Sequence, residues 1–183
     1  MTDAVTSPPR EPSRRTALTV GVAAIAALAG AGSAWWFSSR DPGGGTADRL
    51  WPLNFDAPGG GSVAMAAFRG KPLLVNFWAT WCPPCVEEMP LLDAFAREHG
   101  SRGWQVVGLA IDQPSAVRKF LQRTPVSYPI GLAGLDGTEL ARALGNDSGG
   151  LPFTVVFGAD GSVRQRRMGK LSGADLAHWA SAG

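Results

Sequence analysis

The chain has 183 residues, with 17 Lys plus Arg against 15 Asp plus Glu, two Cys, two His and 45% hydrophobic residues. That suits one domain of ordinary size with a tail, and it excludes a collagen, a low-complexity chain and a disulfide-rich scaffold. Arg10, Arg14, Arg15 and Arg40 face only Asp3 and Glu11 up to Arg40, so the remainder is charge-balanced and offers no footprint for nucleic acid.

Residues 1–15 read as a cytoplasmic segment. No charge occurs between Thr16 and Ser39, and residues 16–37 are long enough to cross about 30 Å of hydrocarbon as a helix. The arginines before this stretch put the N-terminus inside and everything after Arg40 on the periplasmic or other extracytoplasmic side. Ser13-Arg14-Arg15-Thr16-Ala17-Leu18 resembles a twin-arginine export signal, and Ala29, Ala31 and Ala34 offer a cleavage site that would release a soluble product. Trp35, Trp36 and Phe37 stand where an interfacial aromatic belt belongs, which favours a retained anchor. Residues 38–49, containing Asp41-Pro42-Gly43-Gly44-Gly45-Thr46, read as a flexible linker, and residues 50–183 as one domain.

Within that domain, Leu53-Asn54-Phe55 and Ser62-Val63-Ala64-Met65 flank a glycine-rich turn and predict a hairpin. Pro72 to Trp78 is a nearly continuous apolar run, as expected of a strand covered on both faces. From Pro83 to His99, Val86, Met89, Leu92, Phe95 and Ala96 recur at helical spacing, with Pro90 as a kink. A second buried strand follows over Gln105 to Ile111, then helices over Ser115 to Gln122 and Thr138 to Leu144. Pro152 to Phe157, the turn Gly158-Ala159-Asp160-Gly161 and Ser162 to Met168 predict a second hairpin. A helix from Ala174 to Ala182, capped by Ser172, closes the chain. Alternating strands and helices imply an α/β fold with a central mixed sheet flanked by helices, and the early hairpin as an N-terminal extension.

The only cysteines stand as Trp81-Cys82-Pro83-Pro84-Cys85, between a buried strand and a helix. A purely structural disulfide here would close a very short loop and stabilise weakly. A zinc site would need His99 and His178, whose spacing is not that of ligands; both read as surface helix residues, and no metal or other cofactor is expected. A reversible dithiol fits better. The unpaired N–H groups and dipole at a helix start favour an anion, so Cys82 is the candidate partly exposed thiolate nucleophile and Cys85 the thiol that resolves the mixed disulfide. Pro83 and Pro84 have no N–H to give the Cys82 sulfur, and a poorly stabilised thiolate points to a reductant or mild exchanger rather than a strong oxidant.

Residues 76–90, Asn76-Phe77-Trp78-Ala79-Thr80-Trp81-Cys82-Pro83-Pro84-Cys85-Val86-Glu87-Glu88-Met89-Pro90, preceded by Gly70-Lys71-Pro72, closely resemble the thioredoxin-like family of exported TlpA/ResA-type thiol-disulfide oxidoreductases. The likeness extends over residues 50 to 183, through Gly150-Leu151-Pro152-Phe153-Thr154 and Asp160-Gly161. It implies a thioredoxin-like fold, with Pro152 as the family's cis-proline opposite the two cysteines and its neighbouring backbone pairing with a substrate strand. Glu88 matches a carboxylate linked to the cysteines' proton chemistry, against the alternative of a solvated helix face. Cytoplasmic thioredoxins carry a buried Asp where this chain has Asn76, which cannot take a proton, and Leu151 replaces the Thr or Val common in other branches. The expected partners are exported proteins with disulfides, in settings such as cytochrome c maturation or copper-site assembly, and a membrane thiol-relay reductant.

A copper(I) chaperone using both thiolates is the alternative, although no Met-rich or His-rich stretch surrounds them, and Met65, Met89 and Met168 read as core or edge residues. A peroxiredoxin-type peroxidase would need Thr or Ser where Ala79 stands. Trp81, Pro83, Pro84, Leu151, Pro152 and Phe153 suggest an apolar docking face around Cys82, with Trp78 in the core and Trp81 on the rim. Arg164, Arg166, Arg167 and Lys170 read as a solvated edge that discourages strand pairing.

Overall fold

A computed structural model describes residues 47–182. The expected cytoplasmic segment, membrane-crossing stretch and most of the linker therefore lie outside the described residues. The seven strands are β1 (Asn54–Asp56), β2 (Ser62–Ala64), β3 (Leu73–Trp78), β4 (Gln105–Ala110), β5 (Ile130–Leu132), β6 (Phe153–Phe157) and β7 (Val163–Met168). The four α-helices among the described residues are α1 (Pro83–His99), α2 (Pro114–Arg123), α3 (Asp136–Ala143) and α4 (Gly173–Ala182). One sheet takes the order β2-β1-β5-β4-β3-β6-β7, with β3, β4 and β5 parallel and the other neighbours antiparallel. This is the mixed α/β sheet with an N-terminal hairpin that the sequence predicts.

β3 is buried along its whole length because both faces are covered, which explains its unbroken apolar run. The pleat sends Leu73, Val75 and Phe77 into one cluster with Leu109, Phe153 and Phe157. Leu74 and Trp78 enter the other, with Cys85, Met89, Leu92 and Trp179. Asn76 has the parity of that second face, so one polar residue in an apolar strand is aimed beneath α1.

Three differences from the sequence reading have plain causes. β5 was not anticipated: three residues centred on Gly131 give no periodicity, and neighbouring strands on both sides define it. The first hairpin ends at Ala64, since Met65 turns into a 3₁₀ turn (Met65–Phe68) and buries its side chain. The linker expected over 38–49 gives way to packed chain by Ala47, because Ala47 and Leu50 are buried in the first cluster. Ser172 caps α4 as expected, its Oγ accepting from the Asp175 N–H at 3.2 Å and donating to the Asp175 carboxylate at 2.6 Å.

Gly131 is where the hairpin meets the parallel core, and a Cβ there would lie 2.8 Å from Phe55 Cβ and 3.0 Å from Leu109 Cδ2. Gly131→Ala is expected to cost about 1–3 kcal/mol through this overpacking. A lowered urea midpoint by tryptophan fluorescence checks it; an unchanged midpoint means the hairpin shifts freely.

Candidate active site

Cys82 is the N-cap of α1 and Cys85 lies in its first turn. Their sulfurs form a disulfide of 2.03 Å. Cys82 is only 5% exposed and Cys85 is fully buried, so the partly exposed nucleophile expected from the sequence is, in this disulfide state, nearly covered. The Cys85 and Val86 N–H groups both donate to the Cys82 carbonyl, at 3.1 and 3.2 Å. The first free amides beyond Pro83 and Pro84 are thus engaged by main chain, and no side-chain bond caps the helix.

Beneath the disulfide lies a buried polar cluster. Glu88, one helical turn after Cys85, is fully buried, which removes the solvated-face alternative. Its Oε1 accepts from Asn76 Nδ2 at 2.7 Å and its Oε2 from the Leu171 N–H at 2.7 Å. Asn76 Nδ2 also donates to Thr154 Oγ1 at 3.0 Å, a contact dictated by register, since Asn76 and Thr154 face each other across β3 and β6. Asn76 Oδ1 has no partner among the described residues. Burial pushes the Glu88 carboxyl above its ordinary range, and the Leu171 N–H, the Asn76 amide and the Lys170 charge pull back without cancelling the rise. Glu87, by contrast, is exposed and pairs with Lys170 at 2.6 Å. Adjacent carboxylates on α1 therefore meet adjacent residues before α4, one pair outside and one inside.

The rim combines three segments. Trp81 is 66% exposed, Pro83 is exposed and Pro84 is half-buried. The Leu151–Pro152 peptide is cis, as the resemblance implied. Because Phe153 pairs with Phe77, Pro152 lies at the end of β3 that leads into the cysteines. Pro152 itself is buried, and its carbonyl accepts from the Gly169 N–H at 2.9 Å. Leu151 and Trp81 line one groove of about 570 Å³ together with Asp112, Leu135 and Asp136. The Thr80 N–H and hydroxyl both donate to Asp112, at 2.8 and 2.5 Å, tying the segment before Cys82 to the end of β4.

Two assignments change, one on the rim and one on the helix surface. Phe153 does not belong to a docking face: it is buried on the opposite side of the sheet, with its ring 5.9 Å from that of Phe77. His99 is not a plain surface residue, since its ring stacks 4.6 Å from Phe95; His178 is exposed. The basic residues lie on and just after the edge strand β7 as expected, but they are partnered. Arg164 meets Asp160, Arg167 meets Asp175, Lys170 meets Glu87, and Arg166 donates to the Leu144 carbonyl. Thr154, Asp112 and the Leu171 N–H were not assigned to the site from sequence, because only strand pairing and loop packing bring them there.

A mixed sheet with a Cys-x-x-Cys disulfide opening a long helix, a cis-proline at the adjacent strand end and a buried carboxylate below defines the thioredoxin-like class. The Redoxin family model matches residues 48–178. This chain belongs to the Redoxin family. It is 29% identical over 112 residues to the thiol-disulfide oxidoreductase ResA of Bacillus thuringiensis subsp. konkukian, covering 61% of this chain and 62% of that protein. The chain thus spans about three-fifths of the length of that relative. Among solved structures, a thiol:disulfide interchange protein of the thioredoxin family from Chlorobium tepidum TLS superposes with a TM-score of 0.62 at 32% identity, covering 71% of this chain and 91% of that one. MTB dsbF superposes with a TM-score of 0.63 at 25% identity, covering 73% of this chain and 96% of that one.

The raised Glu88 pKa has a stability consequence of definite sign. Unfolded, the carboxyl titrates near 4.5; folded, it holds its proton to higher pH. Its contribution to stability is therefore fully present below the unfolded value and is lost as pH rises through the folded one. Glu88→Gln is expected to flatten that loss in urea titrations run between about pH 4 and about pH 8. Parallel stability curves for the two proteins would mean that Glu88 titrates normally.

Proposed function

We propose that this protein is a thiol-disulfide oxidoreductase that reduces or exchanges disulfides in particular exported proteins. The observation that carries the reading is the Cys82–Cys85 disulfide at the start of α1, beside the exposed Trp81 and above the buried Glu88. In the reduced protein the Cys82 thiolate attacks one sulfur of the substrate disulfide. A Cys82–substrate S–S bond forms, the substrate S–S bond breaks, and the departing thiolate takes a proton. Cys85 then gives its proton to the Glu88 carboxylate and attacks Cys82 Sγ, so the internal disulfide forms and the second substrate thiolate leaves and is protonated. Two electrons pass from the dithiol to the substrate; the Cys82 proton lost to water before attack and the Cys85 proton, released to water from Glu88, balance the two protons that the departing substrate thiolates take from water.

The local donors support a reducing direction of transfer. With the Cys85 and Val86 amides on the Cys82 carbonyl and two prolines between, little local hydrogen bonding stabilises a Cys82 thiolate. A weakly stabilised thiolate is the mark of a reductant. In defined thiol-disulfide buffers the full-length protein is expected to show a reversible two-electron couple at or below roughly −220 mV, and Cys85→Ser to accumulate the mixed disulfide on Cys82. A couple near −120 mV would overturn the direction. No reversible couple, with tight copper(I) retention by the reduced protein, would overturn the activity in favour of a chaperone.

We also infer an extracytoplasmic location, supported by the arginine-led, charge-free stretch over residues 16–37. A reductant there depends on a membrane thiol-relay partner for its electrons. Added protease is expected to degrade the domain in spheroplasts, with the protein in the membrane pellet. Protection from protease would reverse the orientation.

A further inference from the structure

The groove beside Cys82 has a character that the redox chemistry alone does not require. Among the described residues, three large hydrophobic side chains are exposed, and two of them, Trp81 at 66% and Leu135 at 83%, line this groove. Leu151, Ile111 and Ala133 extend its apolar lining. Leu135 immediately precedes α3, so its apolar side chain stands in solvent where a polar cap would serve the helix better. An exposed leucine facing an exposed tryptophan across a groove marks a surface that another chain covers.

Charge narrows what that chain is. The groove is lined by two carboxylates, Asp112 and Asp136, and by no Lys, Arg or His. Asp112 has its oxygens bonded by the Thr80 N–H, the Thr80 hydroxyl and the Gln113 N–H, which orient the carboxylate without neutralising it. Asp136 is exposed and has no ion pair among the described residues. Two cations stand at its borders rather than in its lining: Arg142, whose guanidinium lies beside Gly149, pairs with Glu139 at 3.6 Å, and Arg118 lines the adjoining groove that shares Pro114, Ala133 and Gly134. Within the lining itself the only charges are therefore the two carboxylates, and Asp136, exposed and unpaired among the described residues, favours a cationic segment.

We propose that this groove selects extended substrate segments that carry an apolar side chain beside the disulfide cysteine and a Lys or Arg beyond it. The apolar side chain sits between Trp81 and Leu135, and the cation meets Asp136 and Asp112. This inference rests on the oxidoreductase reading and adds a substrate class to it.

The test uses the reduced full-length protein and three probes. Two are disulfide-bonded peptides of equal length that differ only in Lys or Glu placed beyond a Leu flanking the cysteine; the third is glutathione disulfide. The Lys peptide is expected to react with a kcat/KM about tenfold above the Glu peptide at low salt, and the gap to close as about 1 M salt shortens the Debye length to about 3 Å. Asp136→Lys should reverse the preference, and Leu135→Ser should lower kcat/KM for both peptides while keeping their ratio, each with a urea midpoint matching the parent. Equal rates for the two peptides, or a preference that survives Asp136→Lys, overturn the proposal while glutathione disulfide still reacts. If none of the three probes reacts, the oxidoreductase reading itself fails and the proposal goes with it.

Discussion

The site is organised around a carboxylate that the fold takes out of water. Removing Glu88 from solvent is unfavourable on the order of several kcal/mol if the group is ionised and unsatisfied. Here each oxygen receives one short hydrogen bond, from Asn76 on β3 and from the main chain at Leu171. Those donors come from positions distant in sequence, so the carboxylate joins α1 to the central strand and to the start of α4. Two donors suit the ionised form while the dry surroundings suit the neutral one, and the second influence is larger. A group balanced in this way can accept and release a proton one turn from Cys85.

That balance explains why the position taken by an aspartate in cytoplasmic thioredoxins can be an asparagine here. Asn76 holds no proton to exchange, but its amide orients Glu88 and is itself braced by Thr154 across the sheet. The buried ionisable group beneath the cysteines thus stands on the helix, with the strand residue in a supporting place. Asp112 plays a comparable part on the other side of the cysteines, where its bonds to Thr80 fix the loop that presents Trp81 and Cys82. Local main-chain bonds hold the cysteines and long-range polar bonds hold what surrounds them.

The outer surface divides by chemistry. On the β7 side each cation of the Arg164 to Lys170 cluster has an acceptor, which blunts the exposed strand edge and leaves no free basic patch. On the α3 side the exposed leucine and tryptophan line a groove whose only charged lining residues are two carboxylates. The two flanks of the cysteines are thus unequal: one is self-satisfied, and the other has surface left to cover.

The cysteine pair, its place between a buried strand and a helix, and the chain order of every strand and helix but β5 were legible in the sequence. These depend on short-range patterns: apolar runs, helical spacing, proline at helix starts and the two-residue gap between the cysteines. The family likeness was legible for the same reason, since its motif is contiguous from Asn76 to Pro90. β5 and the Asn76–Thr154 contact were not, because three residues around a glycine and a pairing across 78 positions leave no local trace. Phe153 was misplaced because an aromatic beside the cis-proline reads alike whether it faces the site or the opposite core. The sequence by itself determined that its two cysteines stand two residues apart between a buried strand and a helix start. Only the tertiary structure decided that Glu88 is dry and doubly bonded and that Leu135 and Asp136 share a groove with Trp81, since burial and proximity belong to the packed chain.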